Sequence, residues 1–184
     1  MKRRMPDDPT APGVIGTLAE RGTYQAGSFS MSLESVRAFF QEKAPDLRIV
    51  ELDVATATVA QAAAAHGVEP RQIAKTLSLR LGDRIVLVVA SGEARLDNKK
   101  IKAAFGAKPR LLEAAEVAEI TGHPVGGVCP FGLARPLPIY CDVSLRDLGE
   151  VVPAAGAINA AVRIDALRLA ELVGAQWVDL CQDR

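Results

Sequence analysis

From Lys75 to Leu81 apolar and polar residues alternate without a break, with Leu77, Leu79 and Leu81 set against Thr76, Ser78 and Arg80. A period of two predicts a strand with one face in a core. Gly82-Asp83 then reads as a two-residue hairpin turn, and Arg84–Ala90 as the returning strand, ending at Ser91-Gly92. Elsewhere the spacing is helical. Leu33, Val36, Phe39 and Phe40 share one side of a helix that Ser32 can cap and Pro45 ends. Thr58 can cap an alanine-rich helix that stops at Gly67, and Asp97 one over Asn98–Phe105, closed by Gly106. Another helix is expected over Glu113–Thr121, a helical turn near Ser144–Leu148, and a last helix from its cap Asp165 to Val173. Strands over Arg48–Asp53, Arg110–Leu112, Leu137–Val143, Glu150–Ala154, Ala161–Ile164 and Trp177–Leu180 complete the set.

Strands and helices interleave, but the hairpin breaks any strict strand–helix repeat. The expectation is an α/β chain of the mixed α+β kind, with a mixed, largely antiparallel sheet surrounded by helices. The 184 residues suit one core, and no internal repeat or interdomain linker interrupts them. Residues 1–30 stand apart. They carry Pro6, Pro9, Pro12, Gly13, Gly16, Gly22 and Gly27 without periodicity, which predicts a disordered or extended tail ahead of a domain over 31–184 that begins at Met31.

Composition narrows the chemistry. Aromatic residues make up 4% of the chain, too few for a broad base-stacking platform. No apolar run reaches membrane-spanning length and no signal-peptide core is present, so a cytoplasmic location without membrane contact is expected. Cys129, Cys141 and Cys181 are widely spaced and accompanied only by His66 and His123, which argues against a metal site. Nothing calls for a cofactor. There is no Walker loop, and the glycine stretch described next is not a dinucleotide fingerprint. Net charge is zero, yet residues 71–110 hold ten Lys/Arg against three acids, +7, leaving −7 elsewhere. Such a region can meet a few phosphates; it can equally be a solvated face.

Gly126-Gly127-Val128-Cys129-Pro130-Phe131-Gly132 is the most distinctive stretch. Three glycines and a proline in seven residues fix an unusual backbone that can aim several N–H groups at one oxygen, as an oxyanion cradle. Lys75 shares the parity of the core leucines, so its ammonium leaves the strand on the core side and needs a polar or anionic partner. Asp142 has the opposite parity from Ile139 and Cys141 and either caps the helical turn at Ser144 or is exposed. Gly156 and Asn159 form a small-residue turn, where Asn159 can read a substrate polar group or simply shape the turn. Cys129, with His123 six residues away, raises a nucleophile reading that lacks a third, orienting residue. His66 fits helix capping better than catalysis.

Four motifs occur in register: Ile73-Ala74-Lys75-Thr76-Leu77; Val88-Val89-Ala90-Ser91-Gly92; Arg95-Leu96-Asp97-Asn98-Lys99-Lys100; and Thr121-Gly122-His123-Pro124-Val125 leading into the glycine loop. In this order they resemble the YbaK/ProX family of aminoacyl-tRNA deacylases, related to the editing domain of bacterial prolyl-tRNA synthetase, over about residues 32–181. The resemblance implies a mixed sheet partly closed into a barrel. It also implies a stand-alone trans-editing enzyme that hydrolyses the ester of a mischarged tRNA, with tRNA-Pro or a related tRNA carrying a small wrong amino acid as the expected substrate. The family's lysine falls on Lys75 and its G-x-x-x-P loop on Gly126, Gly127, Val128, Cys129 and Pro130. Thr76, Ser91, Gly92, Phe131, Gly132, Asp142, Gly156 and Asn159 are the expected substrate contacts, and Lys99, Lys100 and Lys102 the tRNA contacts. Expected partners are the aminoacyl-tRNA acceptor end and, as a candidate, prolyl-tRNA synthetase. The alternative is a non-catalytic module that holds tRNA or a synthetase.

Overall fold

The computed structural model describes the backbone of residues 26–183 and the side chains of residues 32–183. The tail expected over 1–30 therefore lies outside the described residues for 1–25. Helix α1 runs Ala26–Lys43, beginning ahead of the expected cap, so Ser32 sits within its second turn. The serine is buried, and its hydroxyl turns to other segments instead of to the helix's own N–H groups.

The remaining elements follow the pattern with shifts of one or two residues, except that the strand expected over Ala161–Ile164 divides into two with different partners, and the turn expected near Ser144–Leu148 is a 3-10 turn over Val143–Leu145. They are β1 (Ile49–Glu51), α2 (Val59–His66), β2 (Ile73–Leu81), β3 (Arg84–Ser91), α3 (Asn98–Phe105), β4 (Pro109–Leu111) and α4 (Ala114–Thr121). After the glycine loop come β5 (Ile139–Asp142), β6 (Glu150–Pro153), β7 (Ala160–Val162), β8 (Ile164–Asp165), α5 (Ala166–Leu172) and β9 (Gln176–Val178). The caps explain where helices begin. Thr58 and Gln61 form a reciprocal capping box at α2, while Asp97 accepts from Lys99 and Lys100 N–H at α3.

The main sheet has the order β8-β6-β2-β3-β5-β9, with β4 also on β2; β1 and β7 form a separate pair. Four of these ladders are antiparallel. Three are parallel: β2 with β6, β3 with β5, and β5 with β9. The sheet is thus mixed, with more parallel pairing than the hairpins suggested, and it curls into a half-barrel that carries five α-helices among the described residues.

Two cores lie on opposite faces of β2 and β3. Leu79, Leu81, Val86 and Val88 pack with Leu77 against Ile101 of α3. On the other face Ala74 and Val89 join Phe131, Val36 and Phe40 of α1, and Leu169 of α5. Phe131 is fully buried, its ring 4.7 Å from that of Phe40, and burying such a side chain contributes roughly 1.5–3 kcal/mol. This contact fixes the far end of the glycine loop to α1. Among the described residues no helix is long and apolar enough to cross a membrane.

Candidate functional site

The outer edge of β2 is covered at both ends and open in the middle. Parallel β6 pairs with Ile73 and Ala74, and antiparallel β4 pairs with Leu79, Arg80 and Leu81. Between them only the Ser78 carbonyl is met, by Leu112 N–H at 3.1 Å. Hydrogen-bonding groups alternate sides along an antiparallel strand, so Thr76 N–H and C=O point the same way as Ser78 C=O, into the gap. A cavity of about 400 Å³ opens there, within the ~300–1,000 Å³ typical of small-molecule sites. Its walls come from Thr56–Val59 before and within α2, from Lys75, Thr76 and Ser78 on β2, from Leu111, Leu112 and Val117, and from the glycine loop at Val125, Gly126 and Val128. Leu111 and Val125 leave apolar surface exposed at its rim.

The loop is held by close packing. Gly126 has φ +90°, a conformation that other residues rarely adopt, and it lies against Ala57 and Ile158. A Cβ on Gly127 would sit 2.8–2.9 Å from the backbone of Ala157. Gly127 N–H already donates to Pro124 O at 2.9 Å, and Gly127 O accepts from Gly156 N–H at 3.0 Å. Pro130 has no N–H. Of residues 126–132, Gly126 and Val128 line the cavity, and neither of their N–H groups is committed to that turn.

Lys75 is half-buried. Its ammonium donates to Gly92 O at 3.0 Å and to Ala94 O at 2.5 Å. The carbonyls solvate the charge without neutralising it, and an ammonium has three N–H bonds, so one donor remains. Burial pushes its pKa down, opposed by nearby Cys181 and reinforced by Arg95. Its parity matches Leu77 and Leu79, as the alternation requires; Thr76 and Ser78 project from the other face. Both hydroxyls are buried without a hydrogen-bond partner among the described residues.

Cys129 is fully enclosed in the core, and burial pushes its thiol up to about 12. His123 Nε2 donates to Phe131 O at 2.8 Å, while Nδ1 lies 2.6 Å from Ser32 Oγ, which also lies 2.7 Å from Gly156 O. Burial pushes the imidazole below its ordinary 6.5. The pair is thus a clamp between α1, the glycine loop and the Gly156 turn, with the thiol 3.6 Å from Nε2.

Of the other expected contacts, Thr76 lines the cavity, while Ser91, Gly92, Phe131, Gly132, Asp142, Gly156 and Asn159 do not. Ser91 Oγ donates to Arg71 O, and Gly92 presses against Pro70 and Val59. Gly132 abuts the Ser35 backbone. Buried Asp142 accepts from Ser144, Leu180 and Cys181 N–H, tying β5 to the C-terminal segment. Asn159 Nδ2 donates to Leu52 O. These contacts tie neighbouring segments together. Lys99 and Lys102 are exposed on α3, across the sheet from Thr76 and Ser78, whereas Lys100 is held by Asp179 and Asp183. Ser78, Thr56–Val59 and Leu111–Leu112 enter the site without having been singled out as contacts. Ser78 carried one visible signal, its polar place in the β2 alternation. Among the described residues no cluster of His, Cys, Asp or Glu could hold a metal.

Relatives agree with this architecture. The chain is 45% identical over 155 residues to the uncharacterised protein YwhH of Bacillus subtilis, covering 83% of this chain and 99% of that one. It is 34% identical over 101 residues to the proline–tRNA ligase of Bacillus licheniformis, covering 54% of this chain but only 17% of the ligase. A crystal structure described as that of a candidate trans-editing enzyme for prolyl tRNA synthetase superposes with TM-score 0.77 at 36% identity, covering 83% of this chain and 98% of its own. The sequence profile of the aminoacyl-tRNA editing domain matches residues 53–172, which include the whole cavity wall, and the chain belongs to that family.

Proposed function

We propose that this protein is a trans-acting aminoacyl-tRNA deacylase that removes a small wrong amino acid from the 3′ end of tRNA-Pro or a related tRNA. The observation that supports it best is the meeting of Gly126, Val128, Lys75 and Thr76 around one cavity at an open strand edge. An aminoacyl ester is already activated, so no enzymic nucleophile is needed. Water, or a ribose hydroxyl that later gives way to water, adds to the ester carbonyl. The C–O bond to the terminal ribose breaks, and the attacking proton ends on the departing ribose oxygen. Gly126 and Val128 N–H groups face the oxyanion that forms in between. One such donor contributes about 2.7–4 kcal/mol in other enzymes. The remaining N–H of Lys75 meets the terminal phosphate or the 3′ backbone. Cavity size admits the small residue and excludes larger ones, since one methylene discriminates by only ~1–3 kcal/mol at a synthetase and a second sieve is needed.

The test is a panel of tRNAs mischarged with each small amino acid, with and without prolyl-tRNA synthetase, on the full chain and on Lys75→Ala. Turnover on one or more members, lost in a folded Lys75→Ala variant, is the expected result. Binding without turnover on any member would replace the enzyme with a tRNA-holding module. Unchanged kcat/KM in Lys75→Ala would remove the lysine from the mechanism.

A further inference from the structure

We infer that Ser78 determines specificity by hydrogen-bonding the side-chain hydroxyl of the mis-acylated amino acid, so that the preferred substrates are seryl and threonyl esters and not alanyl ones. This rests on the deacylase reading and names its substrate class.

Ser78 lies three residues beyond Lys75 on β2, about 10 Å along the strand at ordinary rise and on the opposite face. It is 95% buried at 5% exposure, it lines the cavity, and its Oγ has no partner among the described residues. Around it the cavity wall is hydrocarbon, from Leu111, Leu112 and Val117. A hydroxyl enclosed in such surroundings carries a desolvation cost that a hydrogen bond from a bound ligand removes. Thr76, two residues nearer Lys75 on the same face, presents a second unpartnered hydroxyl together with its backbone N–H and C=O. The polar groups are thus graded. Lys75 projects from the other face of β2, so on this face the loop amides suit the ester, Thr76 suits the amino acid's backbone, and Ser78 is left for its side chain. The oxygen itself is enclosed in the empty protein, so rotation about the one Cα–Cβ bond brings it to the cavity, where it can both donate to and accept from a ligand hydroxyl. An alanyl ester offers it nothing. A thiol offers only a weak donor and acceptor.

The experiment compares kcat/KM on tRNA carrying serine, threonine or alanine for the unaltered chain and Ser78→Ala. The expected result is a preference for the hydroxyl esters that falls roughly threefold to tenfold in the variant, the worth of one ordinary hydrogen bond. Equal proportional losses on seryl and alanyl esters would overturn the inference by placing Ser78 against the terminal adenosine or in the fold alone. A second measurement on the unaltered chain sets non-hydrolysable seryl and alanyl amides of 3′-aminoadenosine in competition. Tighter binding of the seryl amide supports the assignment even should Ser78→Ala fail to fold, and equal binding overturns it. Because the amides report binding without turnover, a failed hydroxyl preference is distinguishable from a failed deacylase reading, in which no ester of any kind is hydrolysed.

Discussion

Replacing Gly127 by alanine tests whether the glycine loop is built for contact or for mobility. The added Cβ would lie 2.8 Å from Ala157 N and C, and ordinary contact begins at 3.4 Å, so the two backbones must part by 0.6 Å. Neither side can yield by rotating a side chain, because both are main chain. The Gly156 N–H to Gly127 O bond, 3.0 Å long, bridges the same two segments. Parting them by that distance stretches it beyond hydrogen-bond range. Overpacking costs about 1–3 kcal/mol and the lost bond about 1 more. For a chain of this size, a loss of that order lowers Tm by roughly 5–15 °C. The neighbouring Gly126 and Val128 amides move with the loop. A displacement of this order in groups that position a reacting centre costs ~10- to 100-fold in kcat, with KM less affected. Thermal denaturation by circular dichroism, paired with single-turnover deacylation below the variant's Tm, reads both effects. A Tm within ~1 °C of the parent would refute the steric argument. A lowered Tm with parental kcat would show that the loop is structural and separate the amides from the chemistry.

Cys129→Ala should keep most deacylase activity, and the parent thiol should resist iodoacetamide at neutral pH while the protein is folded, since its pKa is pushed up to about 12; trapping of an acyl-enzyme would reverse this. Burial holds the folded-state pKa of His123 below 6.5, so the unfolded chain takes up its proton first. Its contribution to stability is therefore complete above that value and is lost as pH falls through 6.5 toward the lower folded pKa; a flat urea midpoint through this window in the parent, or an identical slope in His123→Gln, would contradict it. Charge reversal at Lys99 and Lys102 should weaken tRNA binding and flatten its salt dependence by about one log–log unit per lost phosphate contact, leaving hydrolysis of aminoacyl-adenosine nearly unchanged. Equal losses on both substrates would instead make α3 a support of the cavity.

Local elements were legible in the sequence because local chemistry specifies them. The alternation over Lys75–Leu81 placed β2, and Thr58, Asp97 and Asp165 each marked a helix start that the structure realises by side-chain hydrogen bonds. Ser32 shows the limit of such signals. Its hydroxyl suits a cap, yet the backbone is helical from Ala26, and the oxygen serves His123 and Gly156, 91 and 124 residues away. The same distance effect hid the site. Parity told which residues share a face of β2, but both faces are buried, and only the placement of β4 and β6 decides that the edge stays open between them. Three parallel ladders carry no hairpin to announce them. Asp142, Asn159 and Gly132 stand out as polar and glycine residues in turns. Each joins segments distant in sequence, a role that no spacing rule encodes.

On the proposed reading, the opening in β2 also makes the ligand a temporary part of the sheet. Strands average five to six residues, so a segment flanked by β6 at Ala74 and β4 at Leu79 is too short to accept another chain's strand. The edge is thereby shielded from sheet-to-sheet aggregation while staying accessible to something the size of an amino acid. An occupant that bonds Thr76 supplies what a neighbouring strand would, and the Thr76 amide should then exchange with solvent far more slowly than in the empty protein. By mass action, ligand at a hundred times its Kd would add about 2.7 kcal/mol to the stability of the whole domain. On the deacylase reading, substrate capture and completion of the fold are, at this strand, one event.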